Sequence, residues 1–361
     1  MPIGKLTSRA ECAVCHVNLA DGFRGGERQT ELLVAELGDQ GVRQIVVLRR
    51  GGGLHRRLRC GSLTTIRPVN SNNPAAVVLA ARDARLLHAH EGRAVHIAHV
   101  RRLLFRTPYV ITRRVSHPPG SGWLTRRAYL AAAAVVGVSR TVCSILAAYD
   151  SRIEAHVITD AASRLPAEPA SVRALAARFS GKFVVGHVGA LDQATKGQAF
   201  LIRAARSLAG DHPDIHFILV GAGPDEARFR AEAEGLRNVS FIGFADNVGD
   251  WLSVFDVFAF PSLQEGLGST LLDALQFGLP VVASEAGGIP DVISHGENGL
   301  LVPPGNPDAL RDAILALYAD HSRRSAMGAA ARAVAGGYTV ERMAAAYLEV
   351  YRGILRLGRQ A

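Results

Sequence analysis

Short apolar runs alternate with helix-length segments along almost the whole chain, and this alternation is the feature that most limits the folds available to it. Parallel sheets with helices on both faces are the usual result of such a pattern. The 361 residues exceed what one ordinary core supports. The sequence therefore predicts an α/β chain of two doubly wound, Rossmann-like domains. Strands are predicted at residues 13–18, 44–48, 85–89, 109–112, 135–138, 155–158, 183–188, 216–220, 239–242, 257–260 and 280–283.

A proline-marked stretch between Arg164 and Pro169 separates the two sets of strands. It predicts a first domain at 1–163 and a second at 164–342. Tyr347 and Tyr351 lie four residues apart near the C-terminus, which predicts that a final helix, 343–361, packs back on the first domain. Because ligands bind at the carboxyl ends of parallel strands, we expect the two domains to face a cleft.

The composition favours a globular protein, with 48% hydrophobic and 20% charged residues. The longest apolar run, 130–138, is too short to span a bilayer. Residues 1–11 lack the apolar stretch of a secretory signal. Because the four cysteines are scattered, reduced thiols and a cytoplasmic location are the simpler expectation.

Cys12, Cys15 and His16 form a CxxCH pattern, which is the attachment pattern of c-type haem. The alternative is a buried strand that runs into a glycine loop, since residues 12–19 are mostly apolar and Gly25-Gly26 follow. Reduced thiols and the presence of only three methionines favour the strand. We interpret the haem pattern as incidental.

Positive charge is concentrated in the first part of the chain. Residues 1–165 carry 24 Lys and Arg against 11 Asp and Glu, whereas the remainder has a net charge of −4. Such a distribution favours an anionic partner, such as lipid headgroups, a phosphorylated glycolipid or nucleic acid. The alternative is an arginine-rich composition with solvated side chains.

Residues 258–280, FAFPSLQEGLGSTLLDALQFGLP, are typical of a strand, a glycine loop and a helix. The loop glycines let backbone N–H groups approach a ligand closely, and a helix N-terminus favours anions such as phosphate. Glu265 precedes the helix and Asp273 lies more than one turn into it. The two carboxylates could line one elongated ligand, although the same spacing also occurs on ordinary surface helices.

This segment resembles the E-x7-E motif of the retaining GT-B glycosyltransferases of family 4, the glycosyl transferases group 1. The resemblance continues through VGAGP (220–224), FIGF (241–244), EAGGIPDVI (285–293) and GENGLLV (296–302). It covers almost all of the second half and implies a nucleotide-diphosphate-sugar donor and retention of anomeric configuration. It also implies that no metal or other cofactor is needed, with the leaving phosphate accepting the acceptor's proton.

The resemblance also implies roles for individual residues. Glu265 would hold sugar hydroxyls, Lys196 would neutralise the diphosphate and His90 would reach the transferred sugar, so these three are the predicted catalytic residues. The predicted donor-binding residues are Gly25, Gly26, Lys196, Glu265, Gly266, Leu267, Gly268, Ser269, Thr270 and Asp273.

Three departures from the family pattern stand out. Asp273 replaces the second glutamate, which shortens its reach by one methylene. Ala190 stands where the family often has an arginine, so one diphosphate cation is missing. The Asn-Gly-Val-Asp turn is replaced at 159–163. We hypothesise that Arg113 or Arg114, at a predicted strand end, supplies the missing charge.

Arg24 joins Arg113 and Arg114 as a candidate contact to phosphate or acceptor. His88, next to His90 in an H-x-H-E stretch, is expected to be structural. The basic first domain predicts a lipid-linked or lipopolysaccharide-type acceptor and peripheral association with the inner face of the cytoplasmic membrane. Two alternatives remain: a sugar-nucleotide epimerase on the same fold, and a nucleic-acid-binding protein, which the 6% aromatic content disfavours.

Overall fold

Two units, each built on a parallel sheet with helical crossovers, make up the chain. The computed structural model describes residues 14–70 and 73–357. The first unit takes the described residues within Met1–Ala161 and Thr339–Ala361, and the second is Ala162–Tyr338. Cys12 of the CxxCH pattern and residues 358–361 of the predicted final helix lie outside the described residues.

The first unit contains a seven-stranded parallel sheet of order β3-β2-β1-β4-β5-β6-β7. Its strands are β1 (Val14–Asn18), β2 (Gln44–Arg49), β3 (Thr64–Val69), β4 (Leu87–Ala89), β5 (Tyr109–Arg113), β6 (Ala134–Gly137) and β7 (Ala155–Val157). With numbering by chain order, its helices are α1 (Gly25–Asp39), α2 (Gly53–Arg57), α3 (Pro74–Ala80), α4 (Gly92–Phe105), α5 (Trp123–Leu130), α6 (Arg140–Tyr149) and α15 (Val340–Leu357).

The second unit contains a six-stranded parallel sheet of order β10-β9-β8-β11-β12-β13. Its strands are β8 (Phe183–Val188), β9 (Ile215–Val220), β10 (Val239–Gly243), β11 (Val257–Phe260), β12 (Val281–Ser284) and β13 (Gly299–Val302). Its helices are α7 (Pro169–Arg178), α8 (Gln193–Lys196), α9 (Gln198–Leu208), α10 (Glu226–Glu232), α11 (Val248–Leu252), α12 (Ser269–Gln276), α13 (Pro307–Ala319) and α14 (His321–Ala335), with a 3₁₀ turn at Ile289–Asp291.

Apolar side chains from the strands and the covering helices form the cores. Most central strands are buried along their whole length, as strands covered on both faces require. In the first unit, α15 packs against α1, and its buried Tyr347 and Tyr351 join the core beneath the sheet. The predicted α/β architecture of two doubly wound domains is confirmed.

The order of strands reverses direction once in each sheet, between β1 and β4 in the first unit and between β8 and β11 in the second. The loops that leave neighbouring strands diverge at such a point, and a crevice forms at the carboxyl ends of the strands. These two positions are therefore where each unit is expected to bind a ligand. Within the described residues, no helix is both long and apolar enough to cross a membrane.

Candidate active site

Two loops meet at the switch point of the second unit. One loop follows β8 and leads through α8 to Lys196, and the other follows β11 and contains Glu265. The carbonyl oxygen of Thr195 accepts hydrogen bonds from the backbone N–H groups of Leu263 at 2.8 Å and Gln264 at 3.1 Å. These bonds fix the two loops to each other, so the side chains that they carry have a defined separation.

The side chains of Lys196 and Glu265 form an ion pair across these loops. Lys196 Nζ donates to Glu265 Oε2 at 2.5 Å, and the two side chains are 22% and 14% exposed. The ammonium also lies 5.5 Å from the centre of the Phe260 ring. A partly desolvated cation with one carboxylate partner, beside the carboxyl end of a central strand, is a suitable group for binding an anionic ligand.

The N-terminus of α12 lies directly after the Glu265 loop. Gly268 is the N-cap residue with a φ of 95°, a conformation that glycine adopts without strain, and no side chain caps the helix. Buried Leu267 anchors the loop, and half-buried Ser269 and Thr270 begin the first turn. Their N–H groups and the helix dipole therefore favour a negative charge at this position.

Gly287 and Gly288 lie against the backbone of the Glu265 loop. The carbonyl oxygen of Glu265 accepts a hydrogen bond from the N–H of Gly288 at 3.0 Å. Gly287 has a φ of 54°, and a Cβ there would lie 2.0 Å from the Glu265 carbonyl oxygen. Only glycine fits this approach, so the Gly287-Gly288 segment holds the backbone that presents Glu265.

Asp273 is buried one turn further along α12. Its Oδ1 accepts the backbone N–H of Ser163 at 2.6 Å, and its Oδ2 accepts the Ser163 hydroxyl at 3.3 Å. The carboxylate is thus held by the chain segment in which the sequence departs from the family's turn pattern. Ser163 was not among the predicted site residues. No sequence motif marks it as a site residue, and it is distinguished only by its place next to the predicted domain boundary.

The buried side chain of His187 stabilises the loop that carries Lys196. The Nδ1–H of His187 donates to the carbonyl of Ala259 at 2.9 Å, while the Gln198 amide donates to His187 Nε2 at 3.2 Å and to the Ala190 carbonyl at 2.7 Å. Desolvation lowers the pKa of His187 to about 4, and the nearby charge of Lys196 acts in the same direction. His187 is therefore neutral at physiological pH.

The first unit brings its predicted residues together at its own switch point, where β1, β4 and β5 are neighbours. Gly25 and Gly26 begin α1, His90 follows β4, Arg113 ends β5 and Arg114 follows it. The Arg114 side chain lies next to Gly26, with its Cδ 3.9 Å from the position of a Cβ at that glycine. Arg24, the N-cap residue of α1, is exposed, and its backbone N–H donates to Glu27 Oε2 at 2.8 Å.

Arg113, the last residue of β5, and Arg114, directly after it, have different surroundings. Arg113 Nη1 lies 3.2 Å from the Tyr129 hydroxyl, and Nη2 donates to the His117 carbonyl. Arg114 pairs with buried Asp160 at 2.9 Å, and its Nη1 lies 3.4 Å from His90 Nδ1. Arg114 Nη2 is buried without a hydrogen-bond partner. Of the two, only Arg114 lies against His90.

Three buried histidines lie at the centre of this sheet edge. His16 Nδ1 is hydrogen-bonded to His90 Nε2 at 2.9 Å. His88 pairs through Nδ1 with the Tyr351 hydroxyl at 2.6 Å and through Nε2 with Thr112 Oγ1 at 2.7 Å. Burial lowers the pKa of His16 to about 3 and also lowers the pKa of His88 and His90 well below the usual value. All three are neutral at physiological pH.

The ring nitrogens of these histidines lie within 4.8 Å of one another, so the cluster has the composition of a metal site. Two observations oppose a cation there. Both nitrogens of His88 already pair with hydroxyl groups, and the Arg114 guanidinium lies against His90. The arrangement instead orients His90 through its hydrogen bond to His16 and packs it against His88, whose ring centre is 3.8 Å away.

Sequence reasoning placed His16 only in the incidental haem pattern. Cys15, beside it, is fully buried in β1, where it packs as a small core residue. Asp160, Thr112 and Tyr351 were also missed as parts of the site. Asp160 pairs with Arg114, whereas Thr112 and Tyr351 are hydrogen-bonded to His88. These contacts join residues that lie far apart in the sequence, and no local motif indicates them.

Comparison with known proteins adds independent information. A family model described as glycosyl transferases group 1 matches residues 182–320. The alpha-maltose-1-phosphate synthase of Mycolicibacterium smegmatis is 28% identical over 314 residues, which cover 76% of this chain and 80% of that protein. The phosphatidyl-myo-inositol mannosyltransferase of Mycobacterium leprae is 32% identical over 182 residues, which cover 49% of this chain and 48%, about half, of that protein.

Solved structures share the fold of this chain. Anabaena Alr3699/HepE in complex with UDP and glucose has a TM-score of 0.82 and 22% identity, with 94% of this chain and 99% of that chain covered. WaaG, a glycosyltransferase involved in lipopolysaccharide biosynthesis, has a TM-score of 0.69 and 16% identity, with 94% and 100% covered. At these identities the likeness establishes the fold.

Proposed function

We propose that the chain belongs to the glycosyl transferases group 1 family and that it transfers a sugar from a nucleotide diphosphate sugar to an acceptor hydroxyl with retention of anomeric configuration. The observation that carries this proposal is the Lys196–Glu265 pair beside the uncapped N-terminus of α12. The loop after β8 supplies an ammonium group, and the loop after β11 supplies a carboxylate and leads to the N–H groups at the start of α12. Together these groups suit the diphosphate and the sugar hydroxyls of such a donor.

The proposed reaction uses these groups in separate roles. Lys196 and the first-turn N–H groups at Ser269 and Thr270 stabilise the negative charge that develops on the β-phosphate as the bond from the anomeric carbon to the phosphate oxygen breaks. The acceptor oxygen forms its bond on the same face of the sugar, and its proton goes to the leaving phosphate. No metal is required in this scheme, since the lysine and the helix dipole carry the positive charge.

The diphosphate would compete with Glu265 for Lys196. A diphosphate carries more negative charge than one carboxylate, so donor binding draws the ammonium towards the phosphates and leaves Glu265 to accept hydrogen bonds from sugar hydroxyls. Asp273 would lie on the ribose side, with its carboxylate oriented by Ser163. His90 is the proposed contact from the first unit to the transferred sugar, and its neutral form suits a hydrogen bond to a hydroxyl.

The departure at Ala190 is not compensated in the surrounding loop, because Lys196 is the only basic residue between Gly189 and Gly197. We therefore propose that Lys196 supplies more of the diphosphate charge here than in relatives that retain the arginine. The Arg113 hypothesis loses support, since Arg113 Nη1 and Nη2 lie against Tyr129 and the His117 carbonyl. Arg114, whose Nη1 lies 3.4 Å from His90 Nδ1, remains the candidate phosphate or acceptor contact.

The acceptor is proposed to be a lipid-linked or lipopolysaccharide-type glycan. The support is the excess of positive charge in residues 1–165. Among the relatives, the M. leprae protein is named for a phosphatidylinositol acceptor. The structure of HepE holds UDP and glucose, so UDP-sugars are the first donors to test.

A transfer assay tests the proposal. The protein is incubated with a panel of nucleotide sugars and lipid-linked acceptors, and release of nucleoside diphosphate is followed with and without acceptor. Glu265→Gln and Lys196→Ala should each lose at least about a hundredfold in turnover, whereas the controls Glu297→Gln and Lys182→Ala, which alter exposed residues of the same unit, should keep it. Turnover that survives both site variants would refute the assignment. Conversion of the donor sugar without any acceptor would indicate an epimerase.

A further inference from the structure

Large apolar side chains are exposed on one region of the first unit. Ten such side chains are exposed in the part of the chain that the structure describes, and seven of them lie between residues 100 and 124. The second unit contributes one, Phe244. Scattered exposed apolar residues are ordinary, but a concentration of this kind marks an interaction surface.

Helix α4 forms the centre of this region. Val100, Leu103 and Leu104 follow the i, i+3, i+4 spacing of one helix face and are 44%, 64% and 65% exposed, and Phe105 beside them is 59% exposed. On a helix that only covers a sheet, this outward face would be polar. Here the inner face packs against the unit while the outer face is apolar as well.

Neighbouring helices extend the same surface. Arg101 donates to the carbonyls of Val78 and Arg82, which ties the C-terminal half of α4 to α3, where Leu79 is 60% exposed. Helix α5 packs against α4 on its other side. We call Leu79, Val100, Leu103, Leu104 and Phe105 the α4 surface.

The chain segment that carries α4 and α5 is rich in arginine. From residue 92 to residue 149 the chain contains nine arginines, no lysine and no acidic residue. Arg102 and Arg106 are exposed beside Leu103 and Phe105. Arg106 also has a φ of 57°, where glycine is the favoured residue, so the chain keeps an arginine at a backbone position that disfavours it.

We propose that the α4 surface docks on an anionic lipid bilayer. Leucine and phenylalanine side chains enter the boundary between headgroups and acyl chains, while the arginines extend their charged groups to the phosphates. A protein partner would need matching acidic residues and would ordinarily find a mixed-charge rim. The exposed guanidinium groups of Arg102 and Arg106, directly beside exposed leucine and phenylalanine side chains, instead suit a surface of uniform negative charge.

This docking does not depend on which sugar the enzyme transfers. It would, however, bring the first unit to the same bilayer in which a lipid-linked acceptor resides. Because the surface and the Lys196–Glu265 site belong to different units, variants can remove one property and leave the other.

Vesicle flotation tests the proposal with the full-length protein. The wild type should bind phosphatidylcholine vesicles that contain about 30 mol% phosphatidylglycerol, which is on the order of the anionic content of a cytoplasmic leaflet. Vesicles of pure phosphatidylcholine should bind it at least about tenfold less. Leu103→Ser/Leu104→Ser should weaken binding by about tenfold or more through lost apolar burial. Arg102→Glu/Arg106→Glu should do the same and should also reduce the salt dependence.

Matched controls separate this surface from general stickiness. Phe244→Ser changes a side chain that is 63% exposed in the second unit, and Arg173→Glu/Arg237→Glu reverses two exposed arginines there. Both should bind vesicles as the wild type does. All these positions are exposed, so circular dichroism and thermal unfolding should show folded proteins. Glu265→Gln should also float with the vesicles, which keeps this test independent of the transfer assay.

Three results would overturn the proposal. The first is that the wild type does not bind anionic vesicles. The second is that the α4 variants bind them as tightly as the controls do. Alternatively, light scattering shows a dimer that Leu103→Ser/Leu104→Ser dissociates, while vesicles bind no form of the protein. The last result would assign the surface to a second copy of the chain.

Discussion

Acid should destabilise the second unit through His187, a side chain with no exposed surface whose two nitrogens are both used in its neutral form. Its pKa falls from 6.5 in the unfolded chain to about 4 in the fold. The stabilising effect of the neutral form is therefore complete above pH 6.5 and is lost as the pH falls towards 4. Over that range the unfolded chain binds a proton that the folded chain does not.

The size of the stability loss follows from the difference between the two pKa values of His187. Each pH unit below 6.5 lowers the free energy of unfolding by about 1.4 kcal/mol for one such histidine. At pH 5 the loss from His187 alone is about 2 kcal/mol, a large part of the stability of an ordinary domain. Protonation would place an N–H opposite the Gln198 amide, so the hydrogen bonds that brace the Lys196 loop would also break.

Tryptophan fluorescence can follow the unfolding of the second unit, because the chain has only two tryptophans, one in each unit. Trp251 in the second unit is 6% exposed, whereas Trp123 in the first is 71% exposed, so the emission change on unfolding comes mainly from Trp251. Urea unfolding is measured from pH 4.5 to 9 for the wild type and His187→Gln. The wild-type free energy should fall more steeply below pH 6.5, by about 1.4 kcal/mol per unit, and the two curves should run parallel above pH 7.5. Equal slopes below pH 6.5 would refute the buried neutral histidine.

Three further substitutions test individual contacts. Gly287→Ala places a methyl group against the Glu265 carbonyl, and we expect a stability loss of about 1–3 kcal/mol and at least tenfold slower transfer; wild-type kinetics would contradict the clamp. Arg114→Ala removes the cation beside buried Asp160 and should cost about 3 kcal/mol in urea unfolding, with unchanged stability as the opposing result. Asp273→Ala leaves the N–H of Ser163 without this acceptor and should cost about 1–3 kcal/mol; a midpoint equal to that of the wild type would show that the contact is unimportant.

The period of the apolar residues predicted most of the fold. Central strands such as β8 and β11 are buried on both faces, so their sequences are continuous apolar runs that can be recognised without a structure. Edge strands β3 and β13 were missed for a physical reason. β3 contains Arg67 and Pro68, which an edge strand tolerates, so it forms no distinct apolar run. β13 begins at Gly299 and is followed directly by Pro303 and Pro304, and such residues are typical of a loop.

Some relations between the site residues could be predicted from the sequence, and others could not. The Glu265 loop and the start of α12 form one continuous segment, so their relation could be predicted from the sequence. The Lys196–Glu265 distance depends on β8 and β11 being neighbours, and it follows only once the strand order is known. The contact between Ser163 and Asp273 joins residues that are 110 positions apart. No local pattern encodes such a contact.

The histidine cluster shows why a motif can mislead. CxxCH is a local pattern, and its chemical meaning depends on exposed sulfur atoms that can react with a haem. Cys15 is instead buried in the sheet, and His16 is hydrogen-bonded to His90, which is 74 residues away. The tertiary structure decides the role of such residues. The sequence supplies only the strand that carries them.

Donor binding measures the central claim most directly. The full-length protein is titrated with a panel of nucleotide diphosphate sugars while the Trp251 unfolding transition is recorded. At a concentration one hundred times Kd, a donor that binds only the folded second unit should stabilise it by about 2.7 kcal/mol. We predict that at least one sugar nucleotide does so for the wild type and for Lys182→Ala, and that Lys196→Ala loses the effect. If no donor stabilises the wild type, or if Lys196→Ala responds equally, the proposed donor site is wrong.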